Sequence, residues 1–260
     1  MRPARVQVEP MLSRLRGLKN SIAFLTILPV GMDRDGMARA ASCMPIFPLI
    51  GGAIGLVIGV ILRLLELILP SLAAAGIGLG VLLITNGVQH TDGLLDFGDG
   101  VMFHGSPREK LRVMRDPTIG AGGLSLGLVV LLTTVFSIAA LPTSLIIVGL
   151  VTSEAAAKFS MVLAAAIGRS AHKGMNTVFV ESMHQHGGLR VVLSYVVILV
   201  ISLLSLKAAG LTVVIGATLT TLAMVAISKR HFGGITGDVF GATNEISRAM
   251  SLLLILVFAK

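Results

Sequence analysis

The chain has 260 residues, 54% of them hydrophobic and 13% charged, with a mean hydropathy of +0.92. Soluble surfaces carry roughly 25% charged residues, so this composition excludes a soluble globular protein and makes the lipid bilayer the solvent. The formal net charge of +8 does not indicate nucleic acid, since the basic residues are scattered and aromatic side chains for base stacking are scarce; anionic lipid headgroups and phosphorylated substrates are its counterparts.

In chain order, Arg2, Arg5, Arg14, Arg16 and Lys19 precede an apolar stretch, Ile22 to Val30, that is too short to span and ends in Pro-Val-Gly. An amphipathic or re-entrant segment at the interface is predicted there. A spanning helix needs about 20 mostly apolar residues, which places spans near 43–62, 71–89, 121–141, 143–167, 189–206 and 209–228, with a short seventh near 246–259. The expected fold is therefore all-α: one membrane domain over 1–260, a polytopic bundle of about six or seven spans. Polar loops are expected at 90–120, 168–189 and 229–245. Counting crossings puts these loops and the N-terminal segment on one side, together with every Lys and Arg except Arg63, Lys207, Lys260 and the intramembrane Lys158. The positive-inside rule makes that side cytoplasmic and the protein a multi-pass cell-membrane protein.

Gly51, Gly55 and Gly59 recur at four-residue spacing in the first span, and Gly76 and Gly80 in the second. Such stripes permit close helix approach, expected here within one chain, while a homo-oligomer stays open. The single Cys43 excludes an intrachain disulfide.

The first polar loop reads His90-Thr-Asp-Gly-Leu-Leu-Asp-Phe-Gly-Asp-Gly100. Asp92, Asp96 and Asp99 fall at i, i+4 and i+7, one face of a helix. Three carboxylates held together repel unless a cation compensates, which favours a Mg²⁺ site over a solvated acidic loop. His90 adjoins them and could orient a carboxylate, donate to a phosphate or act as a base. Next comes Arg115-Asp116-Pro-Thr-Ile-Gly-Ala-Gly-Gly123, an additional acid before a glycine-rich helix entry able to receive an anion.

Glu154 and Lys158 inside the fourth span are read as an intrahelical ion pair. His184 and His186 read as solvated. In the third polar loop, Asp238 and Glu245 again share a helical face and follow Lys229, Arg230 and His231, setting metal-binding acids beside phosphate-binding cations.

The pattern His90-x-Asp92-Gly-Leu-x-Asp96-x-x-Asp99-Gly, then Asp116-x-x-Ile-Gly, then Gly233-Gly-x-Thr-Gly-Asp238-x-x-Gly-Ala-x-x-Glu245, resembles the cobalamin synthase family of adenosylcobinamide-GDP ribazoletransferases. Thr-Ile-Leu-Pro at 26–29 and Pro45 to Gly52 extend the resemblance over essentially the whole chain. Arg248 departs from the second glutamate of many members, and Arg169-Ser-Ala-His-Lys-Gly matches only loosely. The resemblance implies a Mg²⁺-dependent membrane transferase that joins adenosylcobinamide-GDP to α-ribazole or its 5′-phosphate and releases GMP. It implies His90, Asp92, Asp96 and Asp99 as catalytic residues. Asp92, Asp96, Asp99, Asp116, Asp238 and Glu245 are then candidate metal ligands, and Arg115, Lys229 and Arg230 candidate phosphate-binding cations.

Two other readings are a secondary transporter, motivated by the glycine-rich helices and the Glu154–Lys158 pair, and a CDP-alcohol phosphotransferase of lipid synthesis. The latter's Asp-Gly-x-x-Ala-Arg core is missing, since Asp92-Gly is followed by Leu-Leu-Asp-Phe.

Overall fold

The computed structural model describes residues 5–258, without the side chains of 5–14, 186 and 187. Arg2, Lys260 and the side chains of Arg5, Arg14 and His186, which figure in the sequence reading, lie outside what the structure describes. The elements are α1 (Arg5–Leu25), α2 (Gly36–Ser42), α3 (Phe47–Leu65), α4 (Ser71–Thr85), α5 (Gln89–Met102), α6 (Pro107–Val113), α7 (Ala121–Ala140), α8 (Ile146–Ile167), α9 (Met175–Leu206), α10 (Gly210–Phe232) and α11 (Gly237–Phe258). The fold is all-α: among the described residues six helices are long and apolar enough to cross a membrane, or seven if the bent pair α4–α5 is one span.

Helix α8 lies at the centre, with every residue from Thr152 to Ala165 buried. Its alanines let neighbours approach on all sides. The glycine stripe of α3 packs here: a Cβ at Gly51 would stand 2.4 Å from the Glu154 carbonyl oxygen, and one at Gly55 2.2 Å from that of Leu150. This stripe thus serves packing within the chain, as expected. Gly76 and Gly80 on α4, by contrast, have no described atom within 4 Å of where a Cβ would sit.

The N-terminal segment is a helix, α1, held to the turn after it by side chains. Asp33 accepts from Lys19 at 2.9 Å and from Asn20 at 2.9 Å, while its backbone N–H donates to Asn20 Oδ1 at 2.8 Å. The Lys19 ammonium, then Asn20, holds the Asp33 carboxyl below the usual carboxylate range.

The expected polar loops are largely helical. Residues 90–120 contain α5 and α6, and of 229–245 only the stretch between Phe232 and Gly237 is non-helical. The seventh span is accordingly a full helix, Gly237–Phe258, rather than a short one. Arg248, counted in the sequence with the polar face, is fully buried within it. The physical reason is that Arg248 pairs there with Glu154 and Glu245, so its charge needs no solvent.

Candidate active site

Helices α4 and α5 meet at 94°. The chain turns there through Gly87 and Val88, at φ 69° and 60°. Helix α5 then runs antiparallel beside the first turns of α7 and α11, at glycine contacts. A Cβ at Gly93 would lie 2.9 Å from both Cα and O of Asp238, one at Gly241 2.9 Å from the His90 carbonyl oxygen, and one at Gly98 2.9 Å from that of Gly122. Each helical glycine costs about 1 kcal/mol relative to alanine; here each allows backbone to meet backbone.

The consequence is electrostatic. Asp96 is brought within range of the charges of Asp238, Asp92 and Asp99. Asp238 itself sits in the first turn of α11, where the helix dipole favours an anion. Thr236 caps that turn, accepting from the Val239 N–H at 3.2 Å and donating to Asp238 at 3.2 Å.

The glycine-rich entry to α7 does receive an anion, and it is Asp99. Its two carboxylate oxygens accept from the Gly120 and Gly123 N–H groups, each at 2.8 Å, capping α7 from a neighbouring helix. A side chain at Gly120 or Gly123 would collide with that carboxylate. The C-terminal end of α5, which carries Asp99, is itself capped by Lys110, whose Nζ donates to the carbonyls of Val101 at 3.2 Å and Phe103 at 2.6 Å and lies 3.1 Å from His231 Nδ1.

A backbone link fastens the second polar segment to the third. Ile235 N–H donates to the Arg169 carbonyl at 2.7 Å, Ala171 N–H donates to the Ile235 carbonyl at 3.0 Å, and Asn176 Nδ2 donates to that same carbonyl at 2.7 Å. This brings His172 within electrostatic reach of Asp238.

Three clefts surround this centre. Asp92, Asp238 and His90 line one. Asp99 and Asp116 line a second, where hydrogen bonds from Thr118 hold the Asp116 carboxyl below its ordinary range. Arg108, Arg112, Arg115 and His172 line the third, together with Glu109, whose carboxylate is occupied by Ser106. Of the expected phosphate cations, Arg115 therefore joins a basic cleft, whereas Lys229 and Arg230 are exposed at the end of α10 and line none of the three.

Glu245 does not join the acids. It is buried, and its carboxylate accepts from Arg248, which also pairs with Glu154; Lys158 donates to Asn244 Oδ1 at 2.7 Å. The Glu154–Lys158 pair exists at 3.9 Å, but as the longest contact of a four-charge network joining α8 to α11. With both groups satisfied inside the protein, the pair gives no support to a transport site.

Arg108, Arg112, His172 and Asn176 were missed from the sequence. For His172 the available signal was the loosely matching Arg169-Ser-Ala-His-Lys-Gly segment, whose link to Ile235 is a backbone contact that no side-chain pattern reveals. Among the described residues, no three acid, histidine or cysteine side chains close around one point as a protein-only metal cage. The donors are nevertheless hard carboxylate oxygens crowded from two helices. They fit Mg²⁺, which is usually held by one or two carboxylates together with substrate phosphates.

These features define a polytopic, all-α membrane protein with acidic and basic clefts gathered at one end of its bundle. Residues 17–256 match the family model described as cobalamin-5-phosphate synthase. An adenosylcobinamide-GDP ribazoletransferase of Methanocella arvoryzae is 34% identical over 254 residues, covering 92% of this chain and 94% of the relative. Those of Methanosarcina barkeri and Thermococcus kodakarensis are 30% and 32% identical, covering 95% and 91% of this chain and 94% and 96% of their own. No solved structure matches. The chain belongs to the cobalamin-5-phosphate synthase family.

Proposed function

We propose that this chain joins adenosylcobinamide-GDP to α-ribazole, or to its 5′-phosphate, and releases GMP. Family membership supports the substrates. The observation that carries the reading is the meeting of Asp92, Asp96 and Asp238 across the Gly93 contact, beside a cleft of three arginines.

In the proposed step, the ribose 3′-hydroxyl oxygen of the acceptor bonds to the phosphorus carried by the cobinamide aminopropanol. The phosphoanhydride bond breaks, and GMP leaves with the electron pair. Arg108, Arg112 and Arg115 bind the diphosphate and take up the charge developing on the leaving group. Asp92, exposed in its cleft, receives the hydroxyl proton. Mg²⁺ held by Asp96 and Asp238 would neutralise charge across the diphosphate. Asp99 supports the site as the cap of α7, and Asp116 stands at the adjoining cleft. The one-sided distribution of Lys and Arg supports a cytoplasmic orientation for this end of the bundle.

Asparagine preserves the shape of aspartate and removes its charge. Asp92→Asn abolishes turnover at every Mg²⁺ concentration, and Asp96→Asn or Asp238→Asn raises the Mg²⁺ requirement sharply or abolishes turnover, each in folded protein. Near-normal activity in the Asp92 and Asp96 variants overturns the assignment.

A further inference from the structure

The cleft that holds Asp92 and Asp238 has a second character beyond its acids. Its inner wall is aromatic: Phe24 from α1, Phe179 from α9 and Phe240 from α11 line it. The Phe24 and Phe179 rings pack with centroids 4.6 Å apart, and Phe47 backs both at 6.1 and 6.3 Å. The wall is fixed in place, because Gln89 donates to the Phe24 carbonyl at 2.8 Å and so ties the end of α1 to the start of α5.

His90 also lines this cleft. It is buried, and among the described residues its Nε2 has no hydrogen-bond partner. A buried polar nitrogen left unpaired is costly, so a ligand able to pair with it gains affinity. A lipid chain would cover the rings and leave the imidazole unsatisfied. A flat heteroaromatic ring with an in-plane nitrogen meets both demands.

We infer that this cleft is the base pocket of the acceptor: the aromatic base of a nucleoside packs on the Phe24–Phe179 wall, its ring nitrogen pairs with His90 Nε2, and its ribose lies toward Asp92 and Asp238. The inference rests on the proposed transfer reaction and adds to it the acceptor's seat. The placement has a charge logic. The arginine cleft draws the diphosphate of the donor, while the base end of a nucleoside is neutral and apolar and suits the aromatic wall. His90 is then a binding residue for the base and takes no part in moving the proton.

Binding of α-ribazole alone to the full chain in lipid nanodiscs tests this without turnover. The comparison ligand is the indole riboside, in which the ring nitrogen is replaced by CH. Wild-type protein binds α-ribazole at least about fivefold more tightly than the indole analogue, the weak end of the effect of leaving a buried polar group unpaired. In His90→Phe the two ligands bind equally, and in His90→Gln, which restores a hydrogen-bonding group, the preference returns in part. Phe24→Leu keeps the site filled with an aliphatic group and weakens both ligands by about fivefold or more, the weak end of base stacking on an aromatic ring. Donor affinity is unchanged in all three variants.

Failure of wild-type protein to bind α-ribazole overturns the inference. So does a ring-nitrogen preference that survives in His90→Phe, or Phe24→Leu affinities equal to wild type. Binding with these signatures but no GMP release on adding donor and Mg²⁺ leaves the pocket standing and refutes the transfer reaction instead.

Discussion

Replacing Arg248 with methionine removes the cation that Glu154 and Glu245 share. The network contains two carboxylates and two cations, Lys158 and Arg248, all at 0 to 1% exposure. It is neutral as built, and Arg248→Met leaves one uncompensated negative charge in the interior. Breaking a buried ion pair by removing one partner typically costs about 3–5 kcal/mol. Against a typical folding stability of roughly 5–15 kcal/mol, that loss is large.

The cost comes from the stranded charge, not from the absence of the pair itself. Adding Glu245→Gln should therefore restore most of it: Lys158 still neutralises Glu154, and the Gln amide oxygen still accepts from Asn244, which donates to Glu245 at 3.0 Å. Unfolding in mixed micelles by increasing SDS mole fraction measures both variants against wild type. The single variant should lose about 3 kcal/mol or more, and the double variant should lie within about 1 kcal/mol of wild type. A single variant as stable as wild type, or a double variant no better than the single, would show that no stranded charge destabilises the interior.

The glycine contact gives a paired test. Gly93→Ala puts a methyl 2.9 Å from Asp238 backbone atoms, whereas at Gly76 a Cβ meets nothing within 4 Å. Gly93→Ala should cost about 1–3 kcal/mol by overpacking and lower kcat by roughly 100-fold, since misplacing reacting groups by about 1 Å has that effect; Gly76→Ala should match wild type in both stability and turnover assays. Asp99→Ala uncaps α7 and should cost about 0.5–2 kcal/mol, with faster hydrogen exchange at the Gly120 and Gly123 amides. Unchanged exchange there would show that the cap contributes nothing.

The spans from α7 to α10 were legible because their polar content is low and hydropathy sets helix length in a bilayer. The acid face of α5 was legible too, since Asp92, Asp96 and Asp99 keep a helical spacing. What the sequence hid was depth. Asp238 and Glu245 fall in an expected polar loop and Arg248 counts with the polar side, yet all three lie on α11, where Arg248 and Glu245 neutralise each other and Gly241 lets α5 cover the helix. The glycine-rich entry was correctly read as an anion site, but its occupant is Asp99, 21 residues upstream of Gly120. Helical spacing reveals neighbours on one helix, whereas Asp99 meets Gly120 only after the chain has turned back.

In the proposed reaction, acids and arginines at one end of this bundle transfer a phosphorylated cobinamide to a nucleoside. Purified wild-type protein supplied with adenosylcobinamide-GDP, α-ribazole and Mg²⁺, with GMP and the cobamide product quantified together, tests it most directly. One GMP per cobamide formed, dependence on both substrates, and silence in Asp92→Asn are the expected results. Folded protein that binds its substrates yet releases no GMP, or that releases GMP without forming the cobamide, would contradict it.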